Sequence, residues 1–410
     1  MNLTPKFRER LLESARLAGE WYVNCQNTEE HPWGGVHESA DFGRYIYEYF
    51  VARQWCRGAG VWAQGLAIMA LMSLERQAPS GGRYSHSAIL AGEYLKSLQI
   101  INPSNPRAHG GFAEHNPQTT WSFPRDGATG GMGFCALYRE TGKQEYLDRA
   151  AVFAQWYHDH GSYKDGWPYG VLDFVTGQVE RGKERYNRGD WQMGGGLVYY
   201  WLYKLTGDAK WMDYFRQMID IAMDLYEKAA QEPINFGFHG RGAVTYGNDD
   251  FAIIGMISAY RHWGEKRMLD TLTHHLKRVW QTQDADGSYP NFAGTFVTSI
   301  DTMEYADLCR EKGIKEDLAA MDDRVMRTAN FGFTLQETCP RDLRAYGGYY
   351  GQSQFGVSRE RIHHRDAGYC TIMNLRIASG GKVPYYSSYG WEETPKPAFE
   401  CPVNPNSLPV

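Results

Sequence analysis

Five acidic positions share one local pattern: Arg125-Asp126, Arg188-Gly189-Asp190, Asn248-Asp249-Asp250, Ile300-Asp301 and Arg365-Asp366. Each ends a polar or aromatic stretch and opens an apolar run. Carboxylates gathered on one apolar floor are pushed apart in pKa, some raised by burial and repulsion, others left low. A raised carboxyl paired with an ionised one is the equipment for acid/base cleavage of a glycosidic bond. Asp126, Asp190 and Asp249 are the candidate catalytic residues on this ground. The structural alternative is that each caps a helix, a contribution of about 1 kcal/mol.

Cations and imidazoles accompany them. His239, Arg241 and Tyr246 lie in FGFHGRGAVTYGND, and His363, His364 and Arg365 lie in RERIHHRDAGY. An arginine can hold a carboxylate bidentately, and the faces of Trp121 and Trp167 can stack on a sugar ring. These eight residues are the candidate substrate-binding set, and their mixture favours an acidic sugar. His239, Arg241, Tyr246 and Asn248 also supply the residue types for β-elimination beside a uronate, so a lyase is the rival chemistry. A toroid that binds a glycan without cleaving it is a third alternative.

Other motifs carry little. There is no HExxH, P-loop or GxSxG. GATGGMG follows no strand and does not read as a nucleotide loop. QDADGSYP lacks the glutamate and spacing of an EF-hand and reads as a turn. His158-Asp159-His160 ends a charged helix and reads as solvated. No metal and no cofactor are expected.

A repeat shows which elements position these residues. LYRETGKQEYLD, LYKLTGDAKWMD and YRHWGEKRMLD align on Gly142, Gly207 and Gly264, each with an Asp six residues on. A weaker copy surrounds Gly313. The pattern is a helix ending at a glycine and followed closely by the next helix. The run before each of the first three glycines is apolar on every face, as a fully buried helix requires, and the run after it is amphipathic. Extended along the chain, the pattern predicts inner helices starting near 61, 126, 190, 248, 299 and 366. Outer helices are predicted near 5, 84, 144, 208, 265 and 315. Six such pairs make an all-α (α/α)6 toroid. Turns from inner to outer helices are short. The reverse segments, roughly 26–60, 99–125, 161–189, 231–247, 281–298 and 333–365, are long and must emerge at one end. Loops of this length in a compact protein are usually functional, so the acids, imidazoles and aromatics are expected at one mouth.

Composition agrees. The 410 residues contain no linker-like stretch, so one domain over 1–393 is expected, with a Pro-rich extended tail from 394 to 410. Net charge is −5 and the basic residues form no stripe, which argues against nucleic acid as a partner. Aromatic residues make up 14% of the chain, enough to furnish both a core and a sugar-binding surface. The seven cysteines include no CxxC pair and do not suggest a disulfide framework. No window approaches a membrane span. The expected partner is an oligo- or polysaccharide, and association into an oligomer is compatible with the composition. The expected location is the cytoplasm, or the periplasm or exterior if a signal peptide has been removed.

This layout resembles the six-hairpin glycosidase superfamily, including unsaturated glucuronyl hydrolases and (α/α)6 β-glucuronidases, over about residues 5–380. In the unsaturated glucuronyl hydrolases, aspartates open the second and third inner helices in HDxGF-like stretches. Arg125-Asp126-Gly127 with Gly133-Phe134 is similar, although an arginine replaces the histidine and the spacing differs. Asp190 stands where the second aspartate would. The resemblance implies a glycoside hydrolase acting on a uronate-containing glycan.

Overall fold

The computed structural model describes residues 1, 3–33, 41–180, 194–230, 251–289, 294–353, 356–381 and 383. Among them are twelve α-helices that alternate between an outer and an inner ring, an (α/α)6 toroid. The outer helices are α1 (Pro5–Cys25), α3 (Arg83–Leu98), α5 (Gln144–Asp159), α7 (Lys210–Ala229), α9 (Lys266–Trp280) and α11 (Leu318–Leu335). The inner ones are α2 (Val61–Gln77), α4 (Pro124–Thr141), α6 (Leu197–Thr206), α8 (Ala252–Trp263), α10 (Gly294–Lys312) and α12 (His364–Ser379).

Local chemistry sets the boundaries. Thr4 caps α1, its hydroxyl accepting from Phe7 N–H at 3.3 Å, with Pro5 as the first helical residue. The repeat glycines Gly142, Gly207 and Gly264 have φ of 69°, 71° and 69°. Each donates its N–H to the carbonyl of a tyrosine four residues back: Tyr138, Tyr203 or Tyr260. That left-handed conformation is strained for any residue with a Cβ. Inner helices bury every face. All of Val61–Glu75 in α2 and all of His364–Ala378 in α12 are buried. The last inner helix packs on both α1 and α2, which closes the ring.

Two small antiparallel sheets lie in the long segments at the mouth. One has the order β2 (Trp55–Gly58), β1 (Ile46–Phe50), β7 (Gly356–His363), β6 (Tyr350–Ser353). It joins the first long segment to the last. The other runs β3 (Trp121–Ser122), β4 (Val171–Asp173), β5 (Val179–Glu180).

Several expectations need correction. Asp301 does not open a helix: α10 begins at Gly294, and Asp301 is buried inside it. The threonines there do not break the helix, because Thr302 returns its hydroxyl to the Thr298 carbonyl at 2.6 Å. Asp126 and Asp366 are not caps but first-turn residues; the cap positions belong to Phe123 and His363. Trp167, expected to offer its face to a sugar, is packed in the interior, as are Tyr289 and Tyr349 of the long segments. Asp190, Asp249, His239, Arg241, Tyr246 and the tail from 394 lie outside the described residues. Among the described residues, no helix is long and apolar enough to cross a membrane.

Candidate active site

Asp126 sits in the first turn of α4, where the helix N-terminus favours a negative charge. Its side chain is 17% exposed, and Arg125 Nη1 lies 3.6 Å from Oδ1. Arg125 is itself buried and donates to Thr129 Oγ1 at 3.2 Å. The unexpected neighbour is Glu114, buried on a loop that turns back toward β3. Glu114 is held on three sides. Its N–H donates to the Trp121 carbonyl (3.1 Å), and its own carbonyl accepts from Val61 N–H (3.1 Å). Its carboxyl Oε2 accepts from Phe123 N–H (3.1 Å). The same carboxyl hydrogen-bonds Asp126 side chain to side chain.

Burial pushes the Glu114 carboxyl well above the usual range, and the Asp126 charge pushes it further; the Phe123 N–H and Arg125 oppose this only in part. Glu114 is therefore the member of the pair that holds a proton more tightly than an ordinary carboxyl. Two carboxyls this close cannot both ionise, so they form a one-proton unit. The adjacent His115 is held below its ordinary pKa by burial and by the charges of Arg44 and Arg57. Its ring meets Trp121 edge to face at 5.1 Å.

Across the first turn of α2 lies the histidine pair. His363 ends β7, and its Nδ1 is 3.2 Å from the Arg365 N–H and 3.3 Å from Asp366 Oδ2, which compete for it. Its Nε2 faces Glu48 Oε1 at 3.6 Å. Burial lowers its pKa, and Asp366 offsets this in part. His364 opens α12 inside an aromatic box, with Tyr22 at 5.0 Å, Tyr45 at 6.3 Å, Tyr47 at 6.4 Å and Trp62 at 6.5 Å. Both of its ring nitrogens are buried without a hydrogen-bond partner among the described residues. Burial holds it far below the ordinary value, with His363 and Arg365 adding to the effect. Arg365 lays its guanidinium over Trp62 at 5.6 Å.

The start of α2 links the two halves: Val61 bonds the Glu114 carbonyl, and Trp62 touches His364 and Arg365. The structure thus brings together Asp126, His363, His364, Arg365 and, through the Glu114 loop, Trp121. Trp167 is 5% exposed and belongs to the core cluster, so it has little ring face to offer a ligand. Glu114, His115, Tyr47 and Glu48 were missed in the sequence. The signal for Glu114 was an acid closing the small apolar run GGFA, just before the segment that leads to Asp126.

The backbone is similar over nearly its whole length to sugar enzymes of known structure. Cellobiose 2-epimerase from Bacillus thermoamylovorans aligns with a TM-score of 0.65 at 14% identity, covering 91% of this chain and all of that one. Unsaturated glucuronyl hydrolase from a Bacillus species gives 0.64 at 12% identity, with 93% and 100% covered. A family 76 α-mannanase from Bacteroides thetaiotaomicron gives 0.59 at 14%, with 93% and 97% covered. The fold is the (α/α)6 toroid that these proteins share. At these identities the likeness speaks for the fold alone. No protein-family model and no curated protein of similar sequence matches the chain.

Proposed function

We propose that this six-hairpin protein is a carbohydrate-active enzyme, a glycoside hydrolase that cleaves a uronate-containing glycan at the mouth of the toroid. The Glu114–Asp126 carboxyl pair carries this reading. Asp126 is the member with exposed surface and would touch the glycosidic oxygen or the attacking water. Glu114 is a positioning residue that holds the shared proton and sets the charge of Asp126. Two carboxyls in contact cannot flank a glycosidic bond, since the two catalytic groups of a glycosidase stand about 5–9.5 Å apart. The second catalytic group therefore comes from elsewhere in the mouth, and Asp190 and Asp249 are its candidates. Arg365, with His363 beside it, would receive the substrate carboxylate. The neighbours named as a glucuronyl hydrolase and a mannanase show that the fold accommodates hydrolysis.

His364 favours a second reading, sugar epimerisation, which the cellobiose 2-epimerase among the neighbours makes concrete. A neutral imidazole with unpartnered nitrogens can remove a proton beside the carbonyl of an open-chain sugar. The carbanion's charge passes to the carbonyl oxygen, and a second group returns a proton to the opposite face.

One experiment separates the outcomes. The protein is incubated in heavy water with uronate oligosaccharides, and separately with free aldoses, and the products are followed by NMR. New reducing ends without carbon-bound deuterium support hydrolysis. Deuterium beside the carbonyl with no cleavage overturns it for epimerisation. A conjugated double bond at the new non-reducing end overturns it for elimination.

A further inference from the structure

The four-stranded sheet has two unlike faces. Its register pairs Tyr49 with Cys56 and Ile362, and both Tyr49 and Ile362 are fully buried against the body. The alternate residues share the opposite face. There Phe50 lies between Trp55 and Arg361, and Glu48 lies between Arg57 and His363. A register shift between Ile46 and Glu48 turns Tyr47 onto this face too. The Tyr47 ring meets His363 at 4.9 Å and receives the Arg57 guanidinium at 4.8 Å. The face therefore runs without a break from the candidate site at buried His363 to a rim where Trp55 is 54% exposed.

Charge and shape suit one kind of occupant. Arg57 (3.0 Å) and Arg361 both pair with the single buried carboxylate of Glu48, which leaves a surplus positive charge on the face. The Arg57 side chain is 55% exposed. Trp55 rests on Phe50 at 5.4 Å between ring centroids, a supported platform rather than a loose side chain. An exposed indole beside cations, in line with a buried imidazole, matches a chain of pyranose rings bearing carboxylates or sulfates.

We propose that the outer face of the β2–β1–β7 sheet is a distal subsite that binds the non-reacting sugar units of an acidic oligosaccharide. Trp55 stacks on a pyranose ring, and Arg57 faces its anionic group. This rests on the reading of the mouth as a site for uronate-containing glycans, and it adds that the substrate is longer than the unit at the reacting bond.

The test is calorimetric titration of the full chain carrying Asp126→Asn, with and without Trp55→Ala or Trp55→Tyr. The probes are hyaluronan and chondroitin tetrasaccharides, methyl β-D-glucuronide, and cellotetraose as the uncharged control. Trp55→Ala is expected to lower the ratio of acidic-tetrasaccharide to monosaccharide affinity about tenfold, the scale of one lost ring-stacking contact. Trp55→Tyr should restore most of that ratio. An unchanged ratio in Trp55→Ala overturns the subsite, as does equal binding of cellotetraose or no binding of any acidic tetrasaccharide. Tetrasaccharide binding that depends on Trp55, together with no hydrolytic product from the parent protein with Asp126 intact, would leave the subsite standing and remove the hydrolase.

Discussion

Arg376 and Glu304 lie side by side with no exposed surface, joined by a 2.8 Å bond from Nη1 to Oε1. The pair joins the last turn of α12 to the second half of α10, away from the helix starts that form the mouth. Arg261 adds a contact at 3.5 Å to Oε2, and Asp307 takes the second Arg376 nitrogen at 3.2 Å. Arg76 and buried Glu140, 2.7 Å apart, make a similar link between α2 and α4. The closed end of the ring is thus held by charges that cannot be separated without stranding a partner in the interior.

Glu304→Gln removes the buried carboxylate that Arg376 and Arg261 share, leaving them Asp307 and Glu311. Removing one partner of a buried ion pair costs about 3–5 kcal/mol. The melting temperature is expected to fall by several degrees, measured by differential scanning calorimetry. Because the change is at the far end from Asp126, activity per folded molecule should hold. A variant that melts with the parent would show that Arg376 and Arg261 are satisfied without Glu304.

Acid should destabilise the fold through its histidines. His275 is buried against the Tyr226 ring at 4.3 Å, and its pKa is brought down to about 3, mainly by burial, with Arg278 and His274 adding to it. His363 and His364 are lowered for the same first reason. A histidine with a depressed folded-state pKa contributes stability that is complete above its unfolded value of about 6.5 and is lost as pH falls below it. Glu114 acts in the opposite sense. Its raised pKa gives stability that is complete below about pH 4.5 and is lost as pH rises through the folded value. With several histidines against one such carboxyl, the melting temperature should fall steadily from about pH 6.5 toward 4.5. His275→Phe should make that descent shallower. A flat profile over this range would mean that these histidines are protonated in place.

Different parts of this arrangement were legible in the sequence to different degrees, for physical reasons. Gly142, Gly207 and Gly264 announce helix ends because the left-handed conformation is a local demand. The buried inner runs show because burial on all faces excludes charge. Asp126, His363, His364 and Arg365 could be placed at the mouth because they follow long segments and precede inner helices. Glu48 opposite His363 could not be read, because that pairing closes the ring between the first long segment and the last, and no local periodicity reports it. Glu114 was hidden similarly: its importance arises only when Val61, Phe123 and Trp121 converge on it. Asp301 misled because an acid followed by an apolar run has the same local appearance at a helix start and inside a helix.

Packing at the mouth should also be testable without touching a polar group. A Cβ on Gly65 would lie 2.2 Å from the Thr129 carbonyl oxygen, so α2 and α4 touch backbone to backbone there. Gly65→Ala must part the helices, at a cost of about 1–3 kcal/mol. Thr129 is one turn from Asp126, so this variant should lose activity as well as stability. Gly142→Ala meets no atom within 4 Å but forces alanine into φ 69°. It should lower the melting temperature and leave turnover intact. Equal behaviour of the two variants would sink the idea that α2–α4 contact positions Asp126.

The carboxyl pair itself gives the sharpest prediction. Asp126→Asn nearly preserves shape but removes the ionisable group, and general acid/base catalysis is worth about 10²–10⁴-fold. kcat on a uronate oligosaccharide should fall by that order, with KM little changed. Glu114→Gln is more informative, since glutamine still donates to Asp126 but cannot yield a proton. The alkaline limb of the kcat/KM profile reports the shared proton, because Glu114 holds it above the ordinary carboxyl range. In Glu114→Gln that limb should no longer be set by the pair. Its hydrogen-bond capacity is kept, so the melting temperature should change little at acid pH, where the parent Glu114 carries its proton too. If Glu114→Gln lowers activity equally at every pH, Glu114 acts only as a structural tie between α2 and α4. If Asp126→Asn keeps full activity while His364→Gln abolishes it, the proton is moved by the imidazole, and the epimerase reading takes the place of the hydrolase.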